Sequence, residues 1–246
     1  MKPWPYPRII AHRGGGTLAP ENTLAGLRLA KELGFAGVEF DVMLAADATP
    51  ILMHDETLAR TTSGSGAIDA TTFSEMRKLD AGSWFSPEYA GEPVPSFERA
   101  GGLCVELGLW ANVEIKPTKG FEAETGSAAA LLARELWRNG PAKPLLSSFQ
   151  PRALAAAKAA APELQRGALT EAIPPDWQSQ MEKLGCVSLH CDYRLLLPQQ
   201  VRAVRDAGYW LVCWTVNDPE IARVLFDWGV DAVVTDRLDL IPADFG

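Results

Sequence analysis

Val38-Glu39-Phe40-Asp41-Val42 alternates apolar and acidic side chains through the middle of the run Gly37–Leu44. Side chains of a strand point to its two faces in turn. Val38, Phe40 and Val42 therefore suit a surrounding layer of helices, and Glu39 and Asp41 face an interior. Asn112-Val113-Glu114-Ile115-Lys116 repeats the arrangement, with Val113 and Ile115 outward and Asn112, Glu114 and Lys116 inward, before Pro117 ends the strand. Two strands with helix-facing apolar sides and polar inner sides are pieces of a (β/α)8 barrel.

The rest of the chain extends the pattern. Short apolar runs predict strands over 8–12, 37–44, 112–116, 144–149, 165–170, 186–193, 210–216 and 231–235. Helical stretches lie between them. Asn22 is a candidate cap for a helix that stops at Gly34, Asp218 caps a crossover with Pro219 at its first position, and 153–161 is Ala-rich. Strand–helix alternation through eight strands favours a closed parallel barrel over an open doubly wound sheet. No G-x-G-x-x-G follows the first strand, so the dinucleotide-binding version of the open sheet lacks support. A length of 246 residues fits one such barrel, and residues 1–246 are read as a single catalytic domain.

One connection is too long for a simple crossover, since the second strand ends near Leu44 and the next begins near Asn112. It divides into a return strand over 50–54, an irregular Thr/Ser/Gly/Pro-rich insertion over about 56–95, and the crossover helix over 96–109. An insertion on this side of a barrel lies over the active-site face, as a lid or pocket wall.

Hydrophobic residues make up 47% of the chain and charged residues 22%, enough for a sizeable core and contrary to disorder. A net charge of −8 disfavours nucleic acid and anionic membrane as partners. Pro3, Pro5 and Pro7 interrupt any signal-peptide core, and no apolar run approaches the roughly 18 residues of a membrane span. Cys104, Cys186, Cys191 and Cys213 form no C-x-x-C pair and read as free thiols in a reducing compartment. The expectation is a cytoplasmic protein without stable membrane association.

Glu39 and Asp41 side by side in a closed interior repel each other and lose hydration, which a divalent cation would compensate. Glu114 is a third ligand, and an all-oxygen set selects Mg2+ or Ca2+ rather than zinc. For any one of these carboxylates a buried ion pair with Arg13 or Lys116 is the alternative; three from two strands favour the metal. His12 ends the first strand and His54 the return strand, and such a pair can serve as general base and general acid. His190, along the sixth strand, could also reach the site but reads as structural or peripheral. Arg13 and Lys116 supply local positive charge for a phosphoryl group, and Gly14, Gly15 and Gly16 let backbone approach a ligand. Trp84 and Phe85 in the insertion, and Trp214, are candidates for a substrate-pocket wall, with ordinary packing as the alternative, of equal weight for Trp84 and Phe85.

These residues, in this order, resemble the glycerophosphodiester phosphodiesterase family. The matching segments are His12-Arg13-Gly14, Pro20-Glu21-Asn22-Thr23, Glu39-Phe40-Asp41, His54-Asp55, Leu58-Ala59-Arg60-Thr61-Thr62, Glu114-Ile115-Lys116, Trp214-Thr215-Val216-Asn217 and Thr235-Asp236. They span nearly the whole chain. The opening Trp4-Pro5-Tyr6-Pro7-Arg8-Ile9 and Asp80-Ala81-Gly82-Ser83-Trp84 look most like cytosolic bacterial members tied to glycerol phosphate uptake. The resemblance implies a TIM barrel of the phospholipase C-like phosphodiesterase type. It also implies hydrolysis of small glycerophosphodiesters such as glycerophosphocholine or glycerophosphoethanolamine to sn-glycerol 3-phosphate and an alcohol. By the same analogy Glu39, Asp41 and Glu114 hold the metal, Arg13 and Lys116 the phosphate, and His12 and His54 move protons. The family picture has the glycerol 2-hydroxyl attack first, with water then opening a cyclic phosphate. One departure is the turn Ala45-Ala46-Asp47-Ala48-Thr49-Pro50, where the family has lysine-aspartate-glycine. The rival readings are a phosphodiesterase acting on another diester or intact phospholipid, a noncatalytic glycerophosphodiester-binding protein, and an unrelated metal-dependent barrel hydrolase. The last needs a His-rich metal site, and three histidines are too few.

Overall fold

The computed structural model describes residues 3–140 and 142–245; Met1 and Lys2, at the start of the Pro-rich opening, lie outside the described residues, as do Pro141 and Gly246. In chain order the regular elements are β1 (Ile9–Ala11), α1 (Leu24–Glu32), β2 (Gly37–Leu44), β3 (Pro50–Leu52), α2 (Phe73–Met76), α3 (Phe97–Leu107), β4 (Trp110–Ile115) and α4 (Glu122–Leu136). They continue with β5 (Leu145–Ser148), α5 (Pro151–Ala160), β6 (Gln165–Thr170), α6 (Trp177–Leu184), β7 (Ser188–Asp192), α7 (Pro198–Asp206), β8 (Trp210–Trp214), α8 (Pro219–Trp228) and β9 (Ala232–Thr235). Apart from β3 the strands pair in parallel, and β1 bonds both β9 and β2, so the sheet closes. This is the (β/α)8 barrel that the alternation predicts.

The β2–β4 register sets Glu39 opposite Asn112 and Asp41 opposite Glu114, which brings the acidic residues of the two strands to one height inside the barrel. The outward faces do the packing. Val38, Phe40, Val42, Val113 and Ile115 join Leu27, Phe97, Ala100 and Ala133 in the main core, and Phe97 bridges Phe40 (ring centroids 5.8 Å) and Trp137 (6.3 Å). Lower in the barrel the interior is apolar. Ile10, Trp110, Leu145, Val212, Ala232 and Val234 cluster there with Trp4 and Tyr6 of the opening segment. Tyr6 stacks on Trp110 at 4.4 Å and its hydroxyl donates to Gln165 Oε1 at 2.6 Å. The aromatic residues between the opening prolines thus cover the end of the barrel where the strands begin. The carboxylates and histidines inside the barrel gather toward the other end.

β3 turns back antiparallel on β2, pairing Val42 with Leu52 and Leu44 with Pro50, and Met53 N donates to Asp41 O at 3.2 Å. The hairpin delivers His54 beside Asp41. Its turn sets Ala48 at φ +58°, in the left-handed region where the related lysine-aspartate-glycine turn has glycine. Ala48→Gly is expected to raise stability by roughly 0.5–1 kcal/mol, read as a higher melting temperature; an unchanged or lower value would mean the turn is not strained.

The segment over 56–95 contains more structure than its composition suggests: α2 and two 3-10 turns, at Ile68–Ala70 and Pro87–Tyr89. Leu58, Ile68, Met76, Ala81 and Val94 form a small core of their own with Met43, Ile51 and Met53 of the hairpin. α1 corrects the capping expectation. Its cap is Thr23, whose hydroxyl accepts from Gly26 N at 3.1 Å, and Asn22 is turned away at φ +56° because its amide is committed to Asp41. No described helix is long and apolar enough to cross a membrane.

Candidate active site

The strand ends at the polar mouth of the barrel surround a cavity of about 140 Å3. His12, Arg13, Glu39, Asp41, His54, Glu114, Lys116 and Trp214 all line it. Trp84 and Phe85 do not. They pack edge-on to one another at 5.7 Å, Trp84 Nε1 donates to Ala81 O, and Phe85 continues onto Tyr89. The insertion uses these rings for its own packing, which corrects their assignment to the pocket wall. Phe149, after β5, takes an aromatic place at the cavity instead, edge-on to Trp214 at 5.6 Å.

The carboxylates come first. One oxygen from each of Glu39, Asp41 and Glu114 lies within 4.8 Å of the other two. Burial, then Asp41 and Glu114, push Glu39 well above the usual carboxylate range. Burial and Asp41 push Glu114 up to about 8. Asp41 is different. Burial would raise it, but Arg13 (Nε 3.5 Å away) and Lys116 (Nζ 3.8 Å) hold it below its ordinary value. Asn22 Nδ2 donates to its Oδ2 at 2.8 Å, while Asp41 N donates back to Asn22 Oδ1 at 3.1 Å. The ion pairs and the carboxylate cluster therefore coexist, but Arg13 and Lys116 leave Glu39 and Glu114 undercompensated. A hard divalent cation fits three convergent oxygens with that surplus of negative charge.

Each histidine is oriented by a carboxylate. His12 Nδ1 lies 2.6 Å from Asp236 Oδ1, leaving Nε2 3.8 Å from Glu39 Oε2. Asn217 Nδ2 donates to the other oxygen of Asp236 at 3.0 Å. The approach is close: a Cβ on Gly16 (φ +55°) would collide with the Asp236 carbonyl, so this turn requires glycine. His54 Nδ1 lies 2.7 Å from Asp55 Oδ1, and Lys116 Nζ lies 2.9 Å from His54 Nε2. An ammonium has only protons to offer. His54 Nε2 therefore presents its lone pair to Lys116, and Nδ1–H donates to Asp55. Burial also holds the His54 pKa below its ordinary value, with Asp41 opposing.

Arg60 joins the two sides. It donates to Asp55 through Nε (2.6 Å) and Nη2 (2.9 Å), and to both oxygens of Glu21 at 2.7 Å. Glu21 also accepts from Arg13 Nη1 at 2.8 Å. Asp55, Asp236, Glu21, Arg60 and Asn217 are roles that residue reading alone did not assign. Asp55 had a local signal, directly after His54; Asp236 had none, being 224 residues from its partner. His190 is also drawn in. It lines the cavity, its Nε2 is 2.9 Å from Ser188 Oγ, and burial pushes its pKa down to about 3. His190 Nδ1, Asn112 Oδ1 and Trp214 Nε1 are buried without a hydrogen-bond partner among the described residues.

Comparison with known proteins identifies the family. The model of the glycerophosphoryl diester phosphodiesterase family matches residues 12–240. A glycerophosphodiester phosphodiesterase of Caldanaerobacter subterraneus subsp. tengcongensis is 34% identical, over 93% of this chain and 93% of its own. One from Bacillus subtilis is 32% identical, over 94% of this chain and 84% of its own. A phosphodiesterase from Oleispira antarctica, solved in complex with the product sn-glycerol-3-phosphate, superposes with a TM-score of 0.88 at 42% identity, covering 94% of this chain and 93% of that one. With the family model matching residues 12–240, the span that carries every residue of the site, the chain belongs to the glycerophosphoryl diester phosphodiesterase family.

Proposed function

We propose that this chain hydrolyses glycerophosphodiesters, such as glycerophosphocholine or glycerophosphoethanolamine, to sn-glycerol 3-phosphate and an alcohol. One observation carries the reading: two carboxylate-oriented histidines and two cations converge with three buried carboxylates on one cavity. A noncatalytic binding site would have no use for the paired histidines. Glu39, Asp41 and Glu114 would hold Mg2+ or Ca2+, which supplies Lewis-acid stabilisation of charge on the phosphoryl oxygens. Arg13 and Lys116 bind the remaining phosphoryl oxygens. When Lys116 turns to the phosphate, the His54 Nε2 lone pair is free to take the proton of the attacking glycerol 2-hydroxyl. The phosphorus–oxygen bond to the alcohol then breaks, and His12, its Nδ1 held by Asp236, protonates the departing oxygen from Nε2. Water opens the cyclic phosphate with the two roles exchanged. The unpartnered atoms of His190, Asn112 and Trp214 suit the hydroxyl groups of a glycerol.

Residues 56–95 act in this reading as a wall of the site, through Arg60. Arg60→Ala should lower kcat about tenfold to a hundredfold, by freeing Asp55, His54 and Arg13 from one frame, with a smaller change in KM. Arg60→Lys should recover little, because an ammonium cannot fork to two carboxylates. Unchanged kcat in Arg60→Ala would remove the clamp from the mechanism. Four free, buried cysteines support a cytoplasmic setting.

The direct test is release of glycerol 3-phosphate from glycerophosphocholine by the purified chain, coupled to glycerol-3-phosphate dehydrogenase. EDTA should abolish the signal, and Mg2+ or Ca2+ should restore it. No product with either cation, from the choline or the ethanolamine diester, would overturn the reading.

A further inference from the structure

The catalytic cavity is small, and one side of it opens on a larger space. Phe149 and Leu169 line both the central cavity and a second one of about 440 Å3, between the end of β6 and helix α6. Pro174, Trp177 and Met181 contribute apolar wall, and Glu171 contributes a carboxylate. No arginine, lysine or histidine lines it. Phe149, 38% exposed, stands at the junction of the two.

The lining discriminates between occupants. A polyol would need hydrogen-bonding groups, but Thr170 Oγ1 already donates to Ala172 O at 2.6 Å and Gln180 Nε2 to Asp176 Oδ1 at 3.0 Å. An anion would meet the Glu171 carboxylate, whose cationic neighbour Arg194 acts on it only at a distance. The Glu171 carboxylate has no Lys or Arg nitrogen within 4 Å among the described residues, and the neighbouring Arg194 is bound to Asp192 through Nε and Nη2. Two aromatic rings, aliphatic walls and one carboxylate without a direct ion pair among the described residues suit a weakly hydrated organic cation.

We propose that the cavity walled by Phe149, Leu169, Trp177 and Glu171 is the head-group subsite, and that it receives the alkylammonium end of the leaving alcohol. This rests on the diesterase reading above. The ester oxygen stays in the central cavity, and the cationic end passes Phe149 toward Trp177 and Glu171. The site thereby selects cationic head groups over neutral ones of the same shape.

The test compares glycerophosphocholine with its neutral isostere, the glycerophospho diester of 3,3-dimethylbutan-1-ol, using the full metal-loaded chain. Wild type should show a higher kcat/KM for the choline diester. Glu171→Gln, a nearly isosteric change at an exposed position, should reduce the choline-to-isostere ratio about fivefold or more. Trp177→Leu should reduce it in the same direction. Equal turnover of the two diesters by wild type, a preference for the neutral one, or a ratio unmoved by Glu171→Gln would overturn the subsite while leaving the diesterase reading intact. No glycerol 3-phosphate from either diester would overturn both.

Discussion

In the His54→Ala protein, turnover of glycerophosphocholine should fall by about 10²–10⁴-fold, the range for losing a positioned acid or base, and His12→Ala should fall comparably. Both variants should keep the fold and the cation site. Neither ring contributes to the apolar clusters, and neither belongs to the three-carboxylate group. The loss comes from protonation chemistry. In His54 the lone pair is on Nε2 because Asp55 takes the Nδ1 proton and Lys116 donates from the other side. Asp236 likewise holds the Nδ1 proton of His12, so that the proton His12 gives the departing oxygen is a second one, carried on Nε2. Asp236→Asn keeps the shape of that contact but can offer its amide NH2 to Nδ1, which stabilises the wrong tautomer. It should therefore lower kcat with little effect on metal binding. The measurements are kcat at saturating cation, a thermal melt and a metal titration for each variant. Near-wild-type kcat in either alanine variant would remove that histidine from proton transfer. Lost metal binding would make the defect structural.

What was legible in the sequence depended on local periodicity. Glu39, Asp41 and Glu114 are found by alternation within single strands, and the parallel register then sets Asp41 opposite Glu114 with no further information needed. The eight strands follow for the same reason: short β-branched runs between capped helices. The supporting groups Glu21, Asp55, Arg60, Asn217 and Asp236 fall in segments that carry the family resemblance, but apart from Asp55, directly after His54, nothing local gave them their roles. Asp236 meets His12 only because β9 closes the barrel against β1, a consequence of topology rather than of any nearby residue. Asn22 looks like a helix cap, and the neighbouring Thr23 takes that role because Asp41 claims the asparagine amide. For Trp84 and Phe85 the sequence leaves pocket wall and ordinary packing both open, because the insertion's internal packing leaves no periodic trace; Phe149 is at the cavity without any sequence signal stronger than theirs. His190 could reach the site from its strand but reads as structural or peripheral, and the closed barrel places it on the cavity.

Cation binding should release protons, and the amount should depend steeply on pH. In the metal-free protein burial and Asp41 push Glu114 up to about 8, so near pH 6–7 it retains a proton that a bound cation must displace, and Glu39 is shifted in the same direction. Apparent affinity should then fall about tenfold per pH unit for each displaced proton as the solution is acidified below about 8. Calorimetric titration with Mg2+ or Ca2+ in two buffers of different ionisation enthalpy gives the proton count directly. At least one proton per cation is expected at pH 6.5. A buffer-independent heat would mean the carboxylates are already ionised and the cluster is compensated without a cation. Stability supplies an independent check of sign. Between the unfolded value of 4.5 and the folded value of about 8, the native metal-free protein holds a proton on Glu114 that the unfolded chain has lost. Its stability must therefore decline as pH rises through that window, by up to about 1.4 kcal/mol per pH unit for each such proton. Saturating cation should remove most of the decline, since the ligands are then ionised at every pH in the window. The gap in melting temperature between loaded and chelated samples should widen from pH 5 to pH 8, and a gap that narrows instead would contradict the raised Glu39 and Glu114.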